Sequence, residues 1–231
     1  MVPLGSTEQH GINGVIGTDA LCAEAVANTA AQQAGFMVAP VLAYAPAEFN
    51  MAFPGTVSIR AATAMSLIED VVTSLVRCGF KKIYFLNGHG ANIAPARAAF
   101  HDLHASHAPH PIALRLKSWW ELGDTNTLRS IWYGDAEGLH VTPSEVAITQ
   151  ALHPGARRSP AHLPHRPLSR QAIADRGGDN HEGAVAHRQH FPDGRVGSDP
   201  DLATPDAGRI LLHAAAQGLI SDFQAWDEAQ G

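Results

Sequence analysis

Apolar and polar positions run along the chain in blocks whose period keeps changing. Val2-Pro3-Leu4 is a short apolar run, after which the spacing turns helical. Thr18 or Asp19 can cap a helix reaching about Gln33, with Leu21, Ala25, Val26 and Thr29 inward and Gly35 as its stop. Residues 36–39 predict a strand, 40–54 a long loop carrying Tyr44, Phe49 and Phe53, and 56–59 another short strand. Between 61 and 78, Met65, Ile68, Val72, Leu75 and Val76 recur at helical spacing, with Gly79 ending the pattern. Lys82-Ile83-Tyr84-Phe85-Leu86 has the continuous apolar character of a buried parallel strand. A helix over 93–106, a strand over 112–116 and a helix opened by Thr142-Pro143-Ser144-Glu145 follow. The last helix starts at Thr204-Pro205 with Ile210, Leu211 and Ala214 facing inward, and the polar tail beyond Asp222 is expected to be loose.

Strands alternating with helices predict right-handed β-α-β crossovers. The fold class is therefore α/β: a three-layer sandwich whose mainly parallel central sheet is covered by helices on both faces. Residues 1–231 form one domain. The stretch 153–193, rich in Pro, Arg, Gly and His and periodic only around 168–174, predicts an irregular excursion over the sheet edge, followed by a tight turn at Asp193-Gly194.

Composition narrows the functional classes. Hydrophobic residues at 45% and charged ones at 16% describe a globular protein, and 231 residues suffice for a substantial core. A net charge of −6 without a basic stripe argues against nucleic acid as a partner. No apolar run approaches the ~20 residues of a membrane span, and no signal peptide precedes the first strand, so the expected location is the cytoplasm. Cys22 and Cys78, without C-x-x-C spacing, fit reduced thiols there.

Candidate chemistry gathers in three stretches. In Gly5-Ser6-Thr7-Glu8-Gln9-His10-Gly11, Glu8 and His10 are two residues apart, which on extended backbone directs both side chains to one side. Carboxylate and neutral imidazole suit zinc, manganese or iron. Asp19, at a helix start, can fold back over the pair. The second stretch, Asn87-Gly88-His89-Gly90-Ala91-Asn92, follows a strand, so both loops lie where open α/β sheets bind ligands. The third is Gly138-Leu139-His140-Val141-Thr142-Pro143-Ser144-Glu145. Glu145 there completes a capping box, whereas His140 has no local structural role and fits an acid or base.

The chain contains 14 histidines, and most are poor ligand candidates. His101, His104, His107 and His110 recur every three residues and drift around a helix as a solvated face. His162 and His165 fall in a Pro- and Arg-rich loop. His181, His187 and His190 surround a glycine-rich segment, on solvent or at the site entrance. Trp119, Trp120 and Trp132 are either core residues or walls for a flat ligand.

The joint pattern G-S-T-E-Q-H-G…T-D and N-G-H-G-x-N resembles the creatininase family of metal-dependent amidohydrolases. The resemblance extends through Phe53-Pro54-Gly55-Thr56, Gly79-Phe80 and Pro192-Asp193-Gly194…Gly197, and so over nearly the whole chain. It implies two divalent ions per chain, zinc first, with manganese or iron as alternatives. Asp19 would bridge them, Glu8 and His89 completing one ion and His10 the other. It further implies hydrolysis of a non-peptide or cyclic C–N amide bond by a metal-bridging hydroxide, with His140 protonating the leaving nitrogen. The expected partners are a small-molecule amide substrate and further copies of the chain, in a homo-oligomer as large as a hexamer. The aromatic residues of loop 44–53 and Trp119-Trp120 are candidate contacts for such an assembly.

Departures from the family pattern bear on the substrate. The usual H-G-P-H-L-P is His10-Gly11-Ile12-Asn13-Gly14-Val15 here. The tryptophan of creatinine-hydrolysing relatives, four residues before the conserved histidine, is Ala136, and their glutamate two residues after the His89 equivalent is Ala91. These changes fit a branch acting on something other than creatinine, such as a peptidase or deformylase in a cofactor-biosynthesis pathway. They also leave the second ion with His10 and Asp19 alone, and Glu145 is the acidic residue that can fill the gap. Rival readings are a catalytically silent metal-binding scaffold subunit and a metallophosphatase using Arg60, Arg115 or Lys117.

Overall fold

The computed structural model describes residues 1–108, 110–156, 164–169, 171–172 and 182–230. Three parallel strands, β1 (Val2–Leu4), β2 (Lys82–Asn87) and β3 (Ala113–Ser118), form a sheet of order β1-β2-β3. Leu4 pairs with Asn87 and Asn87 with Ser118, so the three strands end at one level. Every loop leaving that edge starts from the same height, which brings the stretches after β1, β2 and β3 together.

The helices are α1 (Thr18–Ala34), α2 (Ala61–Arg77), α3 (Ile93–Ser106), α4 (Thr125–Trp132), α5 (Pro143–Leu152), α6 (Ala184–His190) and α7 (Pro205–Ala229). Alternate residues of β2 divide the core in two. Tyr84 and Leu86 face a cluster with Val26, Ile148, Leu211 and Leu219 of α1, α5 and α7. Ile83 and Phe85 face the opposite cluster, with Ile68 and Val72 of α2 and Ala99 and Leu103 of α3. This is the expected three-layer arrangement, with helices on both faces of a parallel sheet.

Several expectations need correction. Residues 36–39 are not a strand; the chain there runs beside β1, with Ala39 N–H donating to Met1 O and Leu42 N–H to Pro3 O, and pairs only as an isolated Leu4–Leu42 bridge. Pro40 has no N–H to continue a ladder. Residues 56–59 likewise make single bridges, Thr7–Val57 and Ala45–Ser58. In α1 the buried face is Cys22, Ala23, Val26, Ala27 and Ala30, one position out of phase with the expected one, because an alanine-rich helix marks its inner face weakly. In α7 Ile210 is 51% exposed, and the burial falls on Leu211, Ala215, Ala216 and Leu219.

The tail beyond Asp222 is helical to Ala229, held by Trp226, whose ring meets Tyr84 edge-on at 5.6 Å. Trp132 is 37% exposed, outside the core. The excursion after His153 contains α6, which packs beside Phe49. Of the expected periodicity at 168–174, residues 170, 173 and 174 lie outside the described residues, as do His162 and His181. His101, His104 and His110 are exposed, as expected of a solvated face. Among the described residues, no helix is long and apolar enough to cross a membrane.

Candidate metal centre

Two glycines let the loops close on α1. A Cβ on Gly5 would sit 2.2 Å from Ala20 Cα, and one on Gly88 would sit 2.2 Å from the Asp19 carbonyl oxygen. Only hydrogen fits at either place. The loop ends after β1 and β2 therefore clamp the first turn of α1, and Asp19 projects between His10 and His89. The turn 138–141 brings in His140 through an isolated bridge to Val196. Val141 beside it has φ of 57°, a left-handed conformation unusual for a β-branched residue and a sign of local strain. Thr142 caps α5 and directs Glu145 inward.

All six residues expected from the sequence converge. Glu8, Asp19 and His89 form one triad, His10, Asp19 and Glu145 a second, and Glu8, His10 and His140 a third. Asp19 belongs to two of them and splits its oxygens between them. Oδ1 lies 3.2 Å from His10 Nε2 and Oδ2 lies 3.0 Å from His89 Nδ1. His89 Nδ1 and His140 Nδ1 are each 3.4 Å from Glu8 Oε1, and His10 Nε2 is 3.6 Å from Glu145 Oε1.

Each imidazole is anchored through its other nitrogen to a backbone carbonyl. His10 Nδ1 meets Glu8 O at 3.2 Å, His89 Nε2 meets Pro46 O at 2.9 Å and His140 Nε2 meets Gln9 O at 2.9 Å. A carbonyl only accepts, so in each neutral ring that nitrogen carries the proton and the second nitrogen faces the carboxylates with its lone pair. This is how proteins orient metal-binding histidines. Asn50 Nδ2 also stands 3.3 Å from His140 Nε2, while its Oδ1 accepts from Gln9 Nε2.

A divalent ion fits this donor set. Both Glu8 oxygens, His10 Nε2 and Asp19 Oδ2 are buried without a well-formed hydrogen bond, which is costly unless another partner is provided. Ligands at ~2.1 Å in a tetrahedral shell lie about 3.4 Å from one another. The 3.0–3.6 Å separations above are of that size.

The electrostatics point the same way. Burial pushes the carboxyls of Glu8 and Glu145 up to about 7. Burial disfavours charged His10 and His89 too, but the adjacent Asp19 and Glu8 carboxylates outweigh it and raise them to about 10 and about 9. Burial also works against ionised Asp19, yet His10 and His89 hold it well below the carboxylate range. The cluster thus demands positive charge at its centre, which protons on His10 and His89 supply or divalent ions supply with both rings neutral. Burial and then His10 push His140 well below the usual imidazole range, so it is neutral.

The triads open on a cavity of about 350 Å³. Phe49, Trp119, Trp120 and His187 form aromatic walls, and Arg129 enters from α4. The tryptophans join both readings: Trp119 is a core residue, 1% exposed, whose ring also lines the cavity. His187 is buried against Phe49, with ring centroids 5.2 Å apart. Arg60, Arg115 and Lys117 do not line the cavity, and Arg115 instead pairs with Asp222.

Arg129 escaped the sequence reading. Its helix, eight residues long, packs Leu128 against the core and leaves Ile131 72% exposed, and nothing in that apolar pattern marks the arginine. The Asn50–Gln9 pair joins loops remote in sequence, which spacing alone cannot signal.

The creatininase family, described as creatinine amidohydrolase, matches residues 1–223. A mycofactocin precursor peptide peptidase of Mycobacterium ulcerans (strain Agy99) is 30% identical over 243 residues, covering 98% of this chain and 84% of its own. A solved creatininase variant complexed with creatine has a TM-score of 0.74 at 22% identity, covering 97% of this chain and 90% of its own. A creatininase variant of Zn–Zn type has a TM-score of 0.72 at 22% identity, covering 97% and 89%. The fold, the match along nearly the entire sequence and the relatives agree: the chain belongs to the creatininase family.

Proposed function

We propose that the protein is a metal-dependent amidohydrolase that cleaves a non-peptide or cyclic C–N amide bond in a small molecule, using two divalent ions held by Glu8, His10, Asp19, His89 and Glu145. The observation that carries this reading is Asp19, whose two carboxylate oxygens face different histidines, His10 at 3.2 Å and His89 at 3.0 Å. A carboxylate so divided suits a bridge between two ions. Zinc is the first candidate, supported by the Zn–Zn form of a solved family member, with manganese and iron compatible with the same donors.

Divalent ions bound there polarise a carbonyl and make a water nucleophilic near neutral pH. The remaining work falls to the chain. His140, neutral and tethered through Nε2 to Gln9 O, offers Nδ1 to take a proton from the attacking water and return it to the leaving nitrogen. Phe49, Trp119 and Trp120 hold a flat group and exclude bulk water from the reacting atoms.

The 30% identity to a mycofactocin precursor peptide peptidase over 98% of this chain favours one second reading, cleavage of an amide in a short or modified peptide. A silent scaffold would have no use for six converging ligand-type residues. Free Cys22 and Cys78 are compatible with a cytoplasmic enzyme. Tyr44, Met51 and Trp132, exposed by 56%, 44% and 37%, offer apolar contact area for a homo-oligomer, which sedimentation as a monomer at micromolar concentration would contradict.

The test is a panel of cyclic amides, formamides and short peptides assayed before and after chelation. Hydrolysis of at least one, lost on chelation and restored by zinc or manganese, is expected. Undiminished activity after complete metal removal would overturn the reading.

A further inference from the structure

Among the described residues lining the cavity, Arg129 is the single arginine or lysine. Its guanidinium is fixed by three contacts. Nε donates to Glu137 Oε1 at 2.8 Å and to Ser144 Oγ at 3.2 Å, and Cζ lies 5.7 Å from the centre of the Trp119 ring. The side chain is only 14% exposed. Glu137 is itself held by the Ser144 hydroxyl, which also donates to its Oε1.

These contacts occupy the Nε edge and a ring face of the guanidinium. They leave the terminal Nη1 and Nη2, which no group among the described residues engages, as a preoriented fork beside the cavity. An arginine has five N–H donors and no acceptor, and the Nη1/Nη2 fork matches the two oxygens of a carboxylate. The same cavity is lined by Glu8, Asp19 and Glu145. Ser144 links Arg129 to the carboxylates, since it contacts Arg129 and immediately precedes Glu145 in the first turn of α5.

We infer that Arg129 is the specificity-determining residue of this cavity, and that the substrate is an amide bearing a free carboxylate, which docks on the Arg129 fork while its scissile bond lies at the Glu8–Asp19–Glu145 end. The inference rests on the amidohydrolase reading and adds the substrate's charge. Glu137 and Ser144 act as positioning residues: they hold Nε and so fix the orientation of the fork.

The experiment uses metal-loaded protein and matched pairs of amide probes that differ only in the carboxylate: hippurate against hippuramide, and N-acetylphenylalanine against its amide. Binding is measured by calorimetry. The wild-type protein is expected to bind the acid about ten- to a hundredfold more tightly than the neutral partner, the range for charge-assisted hydrogen bonds. Arg129→Gln should abolish that preference without changing metal content, and Arg129→Lys should keep part of it, since a point charge replaces a fork. Equal or undetectable binding of both members in every pair would overturn the inference. So would a preference that survives in Arg129→Gln, because the carboxylate would then be bound elsewhere. If Arg129→Gln melts early, Arg129→Lys alone decides through a reduced but finite preference. A protein that takes up no metal overturns the amidohydrolase reading instead, so the two failures are distinguishable.

Discussion

One oxygen of Glu145 meets both the helix cap and the proposed metal site. Oε1 accepts the Thr142 N–H at 2.6 Å, completing the capping box of α5, and stands 3.6 Å from His10 Nε2. Glu145→Gln separates the two contacts. A carboxamide still accepts the Thr142 N–H, so thermal stability should change by no more than about 0.5 kcal/mol. As a neutral group it is a poor ligand, so affinity for the ion shared with His10 should fall by more than the roughly 10–100-fold that outer hydrogen-bond partners of a metal site contribute. Metal titration against the wild type checks this, and an unchanged affinity would reduce Glu145 to a cap. At this scale the sequence was informative wherever a residue's chemistry is its signal. Glu8, His10, Asp19, His89, His140 and Glu145 could all be named in advance, and they lie in one cluster. Asn50 and Arg129 could not, because their contacts at the cavity come from other segments of the chain.

At the level of elements, strong hydrophobic periodicity translated directly: 93–106 is helical over that span, and Lys82 opens the central strand. Boundaries failed where another element decided them. The polar composition after Asp222 suggests a loose tail, but Trp226 packs on Tyr84 and Phe223 and is 7% exposed. Trp226 fixes the last turns of a helix whose earlier turns are buried through Leu211, Ala215, Ala216 and Leu219. Trp226→Ala should therefore cost about 3 kcal/mol, the lower end for a large-to-small aromatic change in a core. Chemical denaturation checks this; a loss under about 0.5 kcal/mol is the outcome a frayed tail would give. The short strands at 36–39 and 56–59 failed for a related reason. Their apolar character is real, but a strand also needs a partner ladder, and Pro40 interrupts the one beside β1.

Across the whole molecule, a polar network ties the sheet to α7. Tyr84 Oη donates to Asp222 Oδ2 at 2.8 Å, and Arg115 grips both oxygens of Asp222 at 2.7 and 2.6 Å. Burial, and then the Asp222 carboxylate, raise the Tyr84 phenol above its ordinary value. The folded chain consequently holds the Tyr84 proton where the unfolded chain releases it. Stability from this group is complete below the unfolded value of about 10 and declines as pH rises above it. Tyr133, raised to about 12 by burial, contributes the same sign. Tyr84→Phe should lower stability at neutral pH by about 1–2 kcal/mol through loss of the hydrogen bond to a charged acceptor. It should also flatten, without abolishing, the alkaline decline in melting temperature, and an equally steep decline in the variant would remove Tyr84 from this role.

The same network holds α7 against the sheet whose aligned strand ends present the metal-site loops, so fold and site share one framework. At its centre stands the buried cluster around Asp19, proposed to hold divalent ions. The most direct measurement is elemental metal content per chain, on purified protein after zinc or manganese supplementation and dialysis, for the wild type and for Asp19→Asn. The wild type should retain about two ions per chain and the variant close to none, because a neutral amide cannot bridge two cations while the fold, followed by circular dichroism, survives. Retention of both ions by Asp19→Asn, or none by the wild type, would contradict the account.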